Sequence, residues 1–135
     1  MSETAEKPKL ILIIDDDDSV RELLTYLVTK EGYRVESAVD GEEGFHKAET
    51  LKPDLILLDL MMPRYGGFEV LRQLQSSGLT KIPIVIVTGR YTDRSTADMI
   101  RQESNVVDFL EKPLKPPVLN ATLDRVLKAR APGAA

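Results

Sequence analysis

The chain has 135 residues and a net charge of −4, and it contains no cysteine. This length predicts one domain with one ordinary core, and the lack of cysteine excludes disulfides and thiolate chemistry. The basic residues are scattered, which argues against a domain that itself binds nucleic acid through phosphate contacts. The N-terminus lacks a signal-peptide pattern and its apolar stretch is too short to span a bilayer, so we expect a cytoplasmic protein.

Short apolar segments alternate with segments of helical periodicity along the chain. The strand candidates are residues 10–14, 33–38, 55–58, 84–87 and 106–110. The helix candidates are residues 20–30, 42–51, 68–76, 94–103 and a last helix from Pro116 or Pro117 to about Arg130. This alternation predicts an α/β fold in which five helices flank a five-stranded parallel sheet, doubly wound and flavodoxin-like, with strand order 2-1-3-4-5. We expect a domain over residues 9–130, with disordered tails at residues 1–8 and 131–135.

Four consecutive aspartates, residues 15–18, follow the first apolar segment directly. Two carboxylates about 4 Å apart repel by roughly 4 kcal/mol at an effective dielectric constant of 20, so a cluster of them requires a cation. Mg²⁺ is the first candidate, because it prefers oxygen ligands. The same acids also suit the start of a helix, and Ser19 with Glu22 matches a capping box. The aspartates alone leave both interpretations open.

Polar side chains follow four of the predicted strands at their carboxyl ends. These residues are Asp15 and Asp16 after the first strand, Asp59 after the third, Thr88 after the fourth and Lys112 after the fifth. The first and third strands are neighbours about 4.8 Å apart in the predicted order, so their acids can share one metal ion. Lys112 lies two strands from Asp59, roughly 10 Å away, which a long flexible cation can span. A metal, a carboxylate, a hydroxyl and an ammonium are suited to holding a transferred phosphoryl group, and a carboxylate can itself accept one.

These motifs together resemble the receiver domain of two-component response regulators, over about residues 10–129. The matching residues are Asp15-Asp16, Asp59 within Leu-Leu-Asp-Leu-Met-Met-Pro, Gly67, Thr88-Gly89 and Lys112-Pro113. The resemblance implies a phosphorelay signalling domain that catalyses its own Mg²⁺-dependent phosphorylation and slow dephosphorylation, and is not a classic enzyme. Asp59 would take the phosphoryl group from a phosphohistidine on a sensor kinase or phosphotransfer protein.

The resemblance also implies a role for each matching position near the acceptor. Asp16 and Asp59 would bind Mg²⁺ through their side chains, Asp15 through an ordered water and Met61 through its backbone carbonyl. The Thr88 hydroxyl and the Lys112 ammonium would contact the phosphoryl oxygens.

Further implied roles concern the lysine, the switch and the phosphate lifetime. Pro113 would follow a cis peptide bond that helps to direct Lys112. Phe109 would swing inward as the Thr88 side chain moves toward the phosphoryl group. Met61 and Arg90 would tune how readily water attacks the phosphoaspartate.

A downstream protein or output domain would bind the surface of the fourth predicted helix, fifth strand and fifth predicted helix, including Tyr91, Met99 and Phe109.

The loop Arg64-Tyr65-Gly66-Gly67 departs from the family pattern of Gly, an apolar residue, Asp and Gly, and is bulkier at its start. His46 is interpreted as a solvated helix residue and not as a phosphorelay histidine. Asp17 and Asp18 are interpreted as the start of the helix near Ser19.

Two alternatives share part of this pattern. Asp15 with Asp17 resembles the nucleophile motif of haloacid-dehalogenase-like phosphatases, but that family needs a longer chain with a cap and would leave Asp59 idle. A flavodoxin-like cofactor binder needs a hydroxyl- and amide-rich phosphate loop, and four acids there would repel a phosphate. No output domain follows position 129, so a stand-alone regulator and a receiver from a longer chain both stay open. The cognate kinase, the target, and the choice between a monomer and a phosphorylation-dependent dimer stay open as well.

Overall fold

The computed structural model describes residues 8–62, 66–89, 98, 100, 102 and 105–129. Its sheet is parallel and has the order β2-β1-β3-β4-β5, which confirms the predicted topology. The strands are β1 (Leu10–Ile14), β2 (Arg34–Ala38), β3 (Leu55–Asp59), β4 (Ile84–Thr88) and β5 (Val106–Glu111).

Helices connect successive strands of the sheet. In the described part of the chain they are α1 (Asp18–Lys30), α2 (Gly41–Leu51), α3 (Gly67–Ser76) and α4 (Pro116–Ala129). The predicted helix at residues 94–103 lies mostly outside the described residues, although Asp98 and Ile100 are helical. The predicted tails lie outside them too, apart from residue 8. None of the helices that the structure describes is long and apolar enough to cross a membrane.

The central strands are buried on both faces because their side chains are apolar without interruption. Successive side chains of a strand point to opposite faces. On one face Ile11 and Ile13 of β1 pack with residues of α1 and α4. On the other face Leu12 and Ile14 pack with residues of α2 and α3. This two-sided burial fixes the strands, so that their carboxyl ends form a rigid edge.

The start of α1 differs from the predicted capping box. The Asp17 carboxylate accepts hydrogen bonds from the backbone N–H groups of Ser19 (2.8 Å) and Val20 (3.3 Å). Asp17 is therefore the N-cap, which confirms that the helix starts at Asp17 and Asp18. The capping box of Ser19 with Glu22 was wrong, because Ser19 lies inside the first turn. The helix can begin earlier because the chain leaving β1 already supplies an aspartate in an extended conformation.

Helix α3 begins in direct contact with the end of β3. A Cβ atom on Gly67 would lie 2.7 Å from the Asp59 carbonyl oxygen and 2.8 Å from the Leu60 Cα. Backbone atoms cannot yield as the far end of a side chain can, so this position admits only glycine without a shift of the strand end. The conformation of β3 at Asp59 is thus coupled to the packing of α3.

Candidate functional site

Three aspartates meet at the carboxyl edge of the sheet. Asp15 follows β1, Asp59 ends β3, and the pairing of Ile14 with Leu58 places the two strand ends side by side. One carboxylate oxygen from each of Asp15, Asp16 and Asp59 lies within 4.8 Å of the others. Asp15 is 1% exposed and Asp59 is 3% exposed, whereas Asp16 is exposed to solvent. Two buried charges and one exposed charge of the same sign therefore share one small volume.

Backbone N–H groups orient the two buried carboxylates. The N–H of Asp17 donates to Asp15 Oδ1 at 2.9 Å, and the N–H of Met61 donates to Asp59 Oδ1 at 3.1 Å. In both cases the donor lies two residues beyond the acid, in the loop that leaves the strand. One oxygen of each carboxylate, Oδ1, thus accepts a backbone hydrogen bond. The other oxygen, Oδ2, lies close to the Lys112 ammonium.

Lys112 supplies the cation nearest to these second oxygens. Its Nζ lies 3.0 Å from Asp15 Oδ2 and 3.5 Å from Asp59 Oδ2. The backbone N–H of Lys112 donates to the carbonyl of Thr88 at 2.8 Å, so the lysine is tied to the end of β4. The peptide bond between Lys112 and Pro113 is cis. The side chain spans from β5 across β4 to the acids, as its length allows.

Burial and like charges disfavour ionisation of Asp59. Burial raises the pKa of its carboxyl, and the neighbouring Asp15 charge raises it further, against the lowering effects of the Met61 N–H and the Lys112 ammonium. For Lys112, burial alone would lower the pKa, but contact with Asp15 and the charge of Asp59 raise it above its usual value. Among the described residues, Lys112 therefore offsets only part of the effect that burial and the neighbouring acids have on the pKa of Asp59.

The donor set fits a hard divalent cation. Asp15 Oδ2 is buried and lies 3.0 Å from Lys112 Nζ as an ion pair, and it has no further hydrogen-bond partner among the described residues. Carboxylate oxygens within 4.8 Å of one another can bind one ion together. Mg²⁺ prefers such oxygen ligands and is usually bound by one or two carboxylates plus water.

The remaining predicted residues lie around this cluster or outside the described chain. Thr88 is buried at the end of β4, one step beyond the Val87 that pairs with Asp59. Met61 follows the acceptor strand with an exposed side chain. Phe109 lies on β5 opposite Ile86, partly buried against the core. The predicted positions that lie outside the described residues are Arg64, Tyr65, Arg90, Tyr91 and Met99.

Asp17 and His46 take no part in the acid cluster. The Asp17 carboxylate caps α1, and it is not one of the three carboxylates that meet. His46 is exposed on α2, where its ring centre lies 6.2 Å from that of Phe45. Both placements agree with the ordinary helix roles expected for these residues.

Arg21 contacts Asp15 in a way that the sequence did not indicate. Its guanidinium Nη1 donates to the backbone carbonyl of Asp15 at 2.7 Å, and its Nη2 pairs with the Asp18 carboxylate. The only available signal was a basic residue near the start of a helix, where the helix dipole favours acids. That signal is too general to have revealed this contact.

Comparison with known proteins gives one consistent family. The family model of the response regulator receiver domain matches residues 11–124. The chain is 40% identical over 120 residues to the alkaline phosphatase synthesis transcriptional regulatory protein PhoP of Bacillus subtilis, covering 89% of this chain and 49% of PhoP. It is 38% identical over 125 residues to response regulator MprA of Mycolicibacterium vanbaalenii, covering 93% of this chain and 53% of MprA. The chain thus spans about half the length of these curated relatives.

Solved structures agree with the sequence relatives. The chemotaxis protein CheY4 of Vibrio cholerae has a TM-score of 0.80 and 30% identity, with 89% of this chain and 99% of that chain covered. A response regulator receiver protein from Pseudomonas putida has a TM-score of 0.83 and 28% identity, with 90% of this chain and 99% of that chain covered. This chain therefore belongs to the family of receiver domains of two-component response regulators.

Proposed function

We propose that this domain is a phosphorylation-dependent switch whose acceptor is Asp59. The observation that carries the proposal is the placement of one nearly buried carboxylate at a strand end, with a lysine ammonium at 3.5 Å and two further acids beside it. In the described part of the chain, the Lys112 ammonium pairs with two of these acids, Asp15 and Asp59. The negative charge left over would suit a divalent ion beside a phosphoryl group.

The proposed transfer starts from a phosphohistidine on a sensor kinase or phosphotransfer protein. A carboxylate oxygen of Asp59 attacks phosphorus, the P–N bond breaks, and the imidazole nitrogen leaves with the electron pair. The product is an acyl phosphate on Asp59. In the slow hydrolysis that follows, a water oxygen attacks phosphorus and the bond between phosphorus and the Asp59 oxygen breaks. The Asp59 carboxylate leaves with the electron pair, and inorganic phosphate keeps the protons of the water. Positioning and charge compensation supply most of the catalysis in such transfers.

Each residue of the site has a separate role in the proposed transfer. The Met61 N–H orients the Asp59 carboxylate, and the Lys112 ammonium lies where it would compensate charge on phosphoryl oxygens. Asp16 and Asp59 would hold Mg²⁺ through side chains, Asp15 through a water and Met61 through its carbonyl. When bound, Mg²⁺ would offset the repulsion of the acids and compensate the charge that develops on the phosphoryl oxygens. Met61 and Arg90 would set the lifetime of the phosphoaspartate.

Readout of phosphorylation would occur through a shift between two existing conformations. Thr88 would move toward the phosphoryl group and Phe109 would turn inward. A surface cavity of about 480 Å³ runs along the end of β5 and the start of α4, with Phe109, Lys112 and Val118 among its lining residues. Because Lys112 and Phe109 both line it, this cavity supports the proposal that changes at the acceptor reach the surface for a downstream protein or output domain.

Beryllofluoride, which mimics a phosphoryl group, tests this readout. We expect chemical-shift changes in the protein's backbone amides to extend from the acid cluster to β5 and α4. Changes confined to the residues around Asp59 would contradict the proposed binding surface while leaving the acceptor assignment intact.

The structure gives the phosphatase alternative little support. That alternative needs Asp15 as nucleophile and Asp17 as its partner acid, but Asp17 is exposed and caps α1. Asp15 is paired with Lys112 at 3.0 Å and is 1% exposed. Asp59 would also have no role in that reaction.

Labelling by a small phosphodonor separates the two functions. The protein is incubated with Mg²⁺ and acetyl phosphate or phosphoramidate, and the intact mass is measured. We expect the addition of one phosphoryl group to the wild-type protein and none to Asp59→Asn. Asp17→Asn is the matched control and should be labelled like the wild type. Labelling that survives in Asp59→Asn, or that is lost in Asp17→Asn alone, would contradict the proposal.

A further inference from the structure

Arg21 lies beside the acid cluster, where its guanidinium contacts the Asp15 carbonyl and the Asp18 carboxylate. The function proposed above assigns no role to Arg21. It lies near the start of α1, and its side chain is only 15% exposed. One guanidinium nitrogen donates to the carbonyl oxygen of Asp15 at 2.7 Å, and the other pairs with Asp18, whose side chain is 85% exposed. The buried part of this arrangement is therefore the contact with Asp15.

The carbonyl that Arg21 holds belongs to the peptide bond between Asp15 and Asp16. Rotation of that peptide plane would change the direction of both side chains, and both belong to the acid cluster. A guanidinium is always charged, and its rigid planar fork orients an acceptor more strictly than a flexible ammonium does. Arg21 thus acts on the geometry of two acids through a single backbone oxygen.

Arg21 completes a set of three restraints on Asp15. The Asp15 N–H donates to the carbonyl of Ala38 at 3.2 Å, its carbonyl accepts from Arg21, and its Oδ1 accepts from the Asp17 N–H. The atom left without a hydrogen bond is Oδ2, which is buried and faces Lys112. Each restraint comes from a different segment: the end of β2, α1 and the loop between β1 and α1.

We infer that Arg21 is a positioning residue, which fixes the Asp15–Asp16 peptide so that these acids present a preformed Mg²⁺ site. The inference rests on the proposed function, because it takes Mg²⁺ as the ion of the cluster. Residues that orient metal ligands by hydrogen bonds commonly change metal affinity when they are removed.

Isothermal titration of Mg²⁺ into Arg21→Met tests this role. Methionine keeps an unbranched stem and a high helix propensity but cannot donate to the carbonyl. We expect the dissociation constant for Mg²⁺ to rise roughly tenfold. Loss of a positive charge beside three acids would by itself tighten Mg²⁺ binding, so weaker binding identifies positioning and not charge.

Asp18→Asn is the matched control, because it removes the exposed ion pair and leaves the contact between Arg21 and Asp15. We expect its Mg²⁺ affinity to stay within about twofold of wild type, as exposed ion pairs contribute little. Unchanged or tighter binding in Arg21→Met would overturn the inference, and so would an equal loss in Asp18→Asn. If Arg21→Met does not fold, Arg21→Leu, which also cannot donate a hydrogen bond, is judged by the same limits.

Amide hydrogen exchange in the metal-free protein gives a second readout. The Asp17 N–H, which donates to Asp15 Oδ1, should exchange faster in Arg21→Met than in wild type. The Glu43 N–H, which donates to Asp40 Oδ1 at 2.9 Å at the start of α2, is the internal reference and should not change. Equal rates for Asp17 in both proteins would count against the restraint.

The two readouts separate failure of the inference from failure of the proposed function. A wild-type protein that binds no Mg²⁺ and takes no label would contradict the proposed function, while the exchange of Asp17 would still report on the restraint. A wild-type protein that binds Mg²⁺ and is labelled on Asp59, together with an unaffected Arg21→Met, would overturn only the role of Arg21.

Discussion

Asp59 carries a charge that its surroundings oppose. Burial and the Asp15 carboxylate raise its pKa, and Lys112 offsets only part of that effect. Ionisable groups with a strongly shifted pKa are frequent at functional sites. The three acids lie within 4.8 Å of one another, so a divalent ion bound among them would offset their mutual repulsion.

A different titrating pair, Tyr33 with Asp124, allows a prediction away from the acid cluster. The Tyr33 hydroxyl donates to Asp124 Oδ1 at 3.4 Å. Burial raises the pKa of Tyr33, and the charge and hydrogen bond of Asp124 raise it further. The protonated phenol is therefore favoured by folding, and this contribution to stability is present below the unfolded pKa of about 10 and lost as the pH rises through the folded pKa.

We expect Asp124→Asn to lower the pKa of Tyr33 toward its unfolded value. The measurement is the absorbance of the phenolate during an alkaline titration, with Tyr33→Phe subtracted to isolate this residue. Glu31→Gln should produce a smaller shift, since Glu31 is the weakest of the named causes. An unchanged midpoint in Asp124→Asn would show that the carboxylate does not act on the phenol.

At the scale of elements, two helix starts position the acids. Helix α1 begins directly after the first acid pair, with Asp17 as its N-cap. Helix α3 begins against the end of β3, where the lack of a side chain at Gly67 leaves room for the Asp59 carbonyl oxygen. Substitutions at these two helix starts should therefore affect both stability and the site, but by different physical effects.

Asp17→Ala removes the N-cap of α1. We expect it to lower the free energy of unfolding by about 1 kcal/mol, the usual cost of losing such a cap. Urea denaturation measures the change, and Asp18→Ala, an exposed substitution in the first turn of the same helix, is the control. Equal midpoints for the two variants would show that the cap contributes nothing to stability.

Gly67→Ala places a methyl group against the backbone of Asp59 and Leu60. Overpacking of this kind costs typically 1–3 kcal/mol, which would appear in thermal or urea unfolding. We also expect slower phosphodonor labelling, because relief of the clash must displace the end of β3. Gln73→Ala on the exposed face of α3 is the control and should leave both quantities close to wild type. A stable Gly67→Ala with normal labelling would contradict the tight contact.

At the scale of the whole molecule, much of the architecture could be predicted from the sequence. The short, uninterrupted apolar segment Leu10–Ile14 favours a strand buried on both faces, and such strands alternating with helices predict a parallel sheet. Because the carboxyl ends of parallel strands meet at one edge of the sheet, this topology predicts that Asp15 and Asp59 lie close together. The exact N-cap of α1 was harder to predict, because Asp and Ser cap helices about equally well. The N-cap is Asp17 and not Ser19.

The contact of Arg21 with Asp15 depends on the angle at which α1 leaves the sheet. Helical periodicity shows which face of α1 is apolar, but it does not show where a long polar side chain of that helix will end. Sequence spacing therefore located the strand-end acids and missed the residue that restrains them.

Removal of the metal tests the charge balance of the whole site. We expect a chelator to abolish labelling by acetyl phosphate, since the acids would then repel the incoming phosphoryl group. Readdition of Mg²⁺ in excess should restore the rate, which controls for damage by the chelator. Labelling at an unchanged rate in chelator would contradict metal assistance without excluding Asp59 as the acceptor.

The most direct test of the central claim is the chemical location of the phosphoryl group. Sodium borohydride reduces an aspartyl phosphate to homoserine, which marks the phosphorylated residue in a peptide mass spectrum. After labelling with Mg²⁺ and phosphodonor, we predict homoserine at position 59 alone. Homoserine at position 15, or labelled protein with no reduced aspartate, would contradict the assignment of Asp59 as the acceptor.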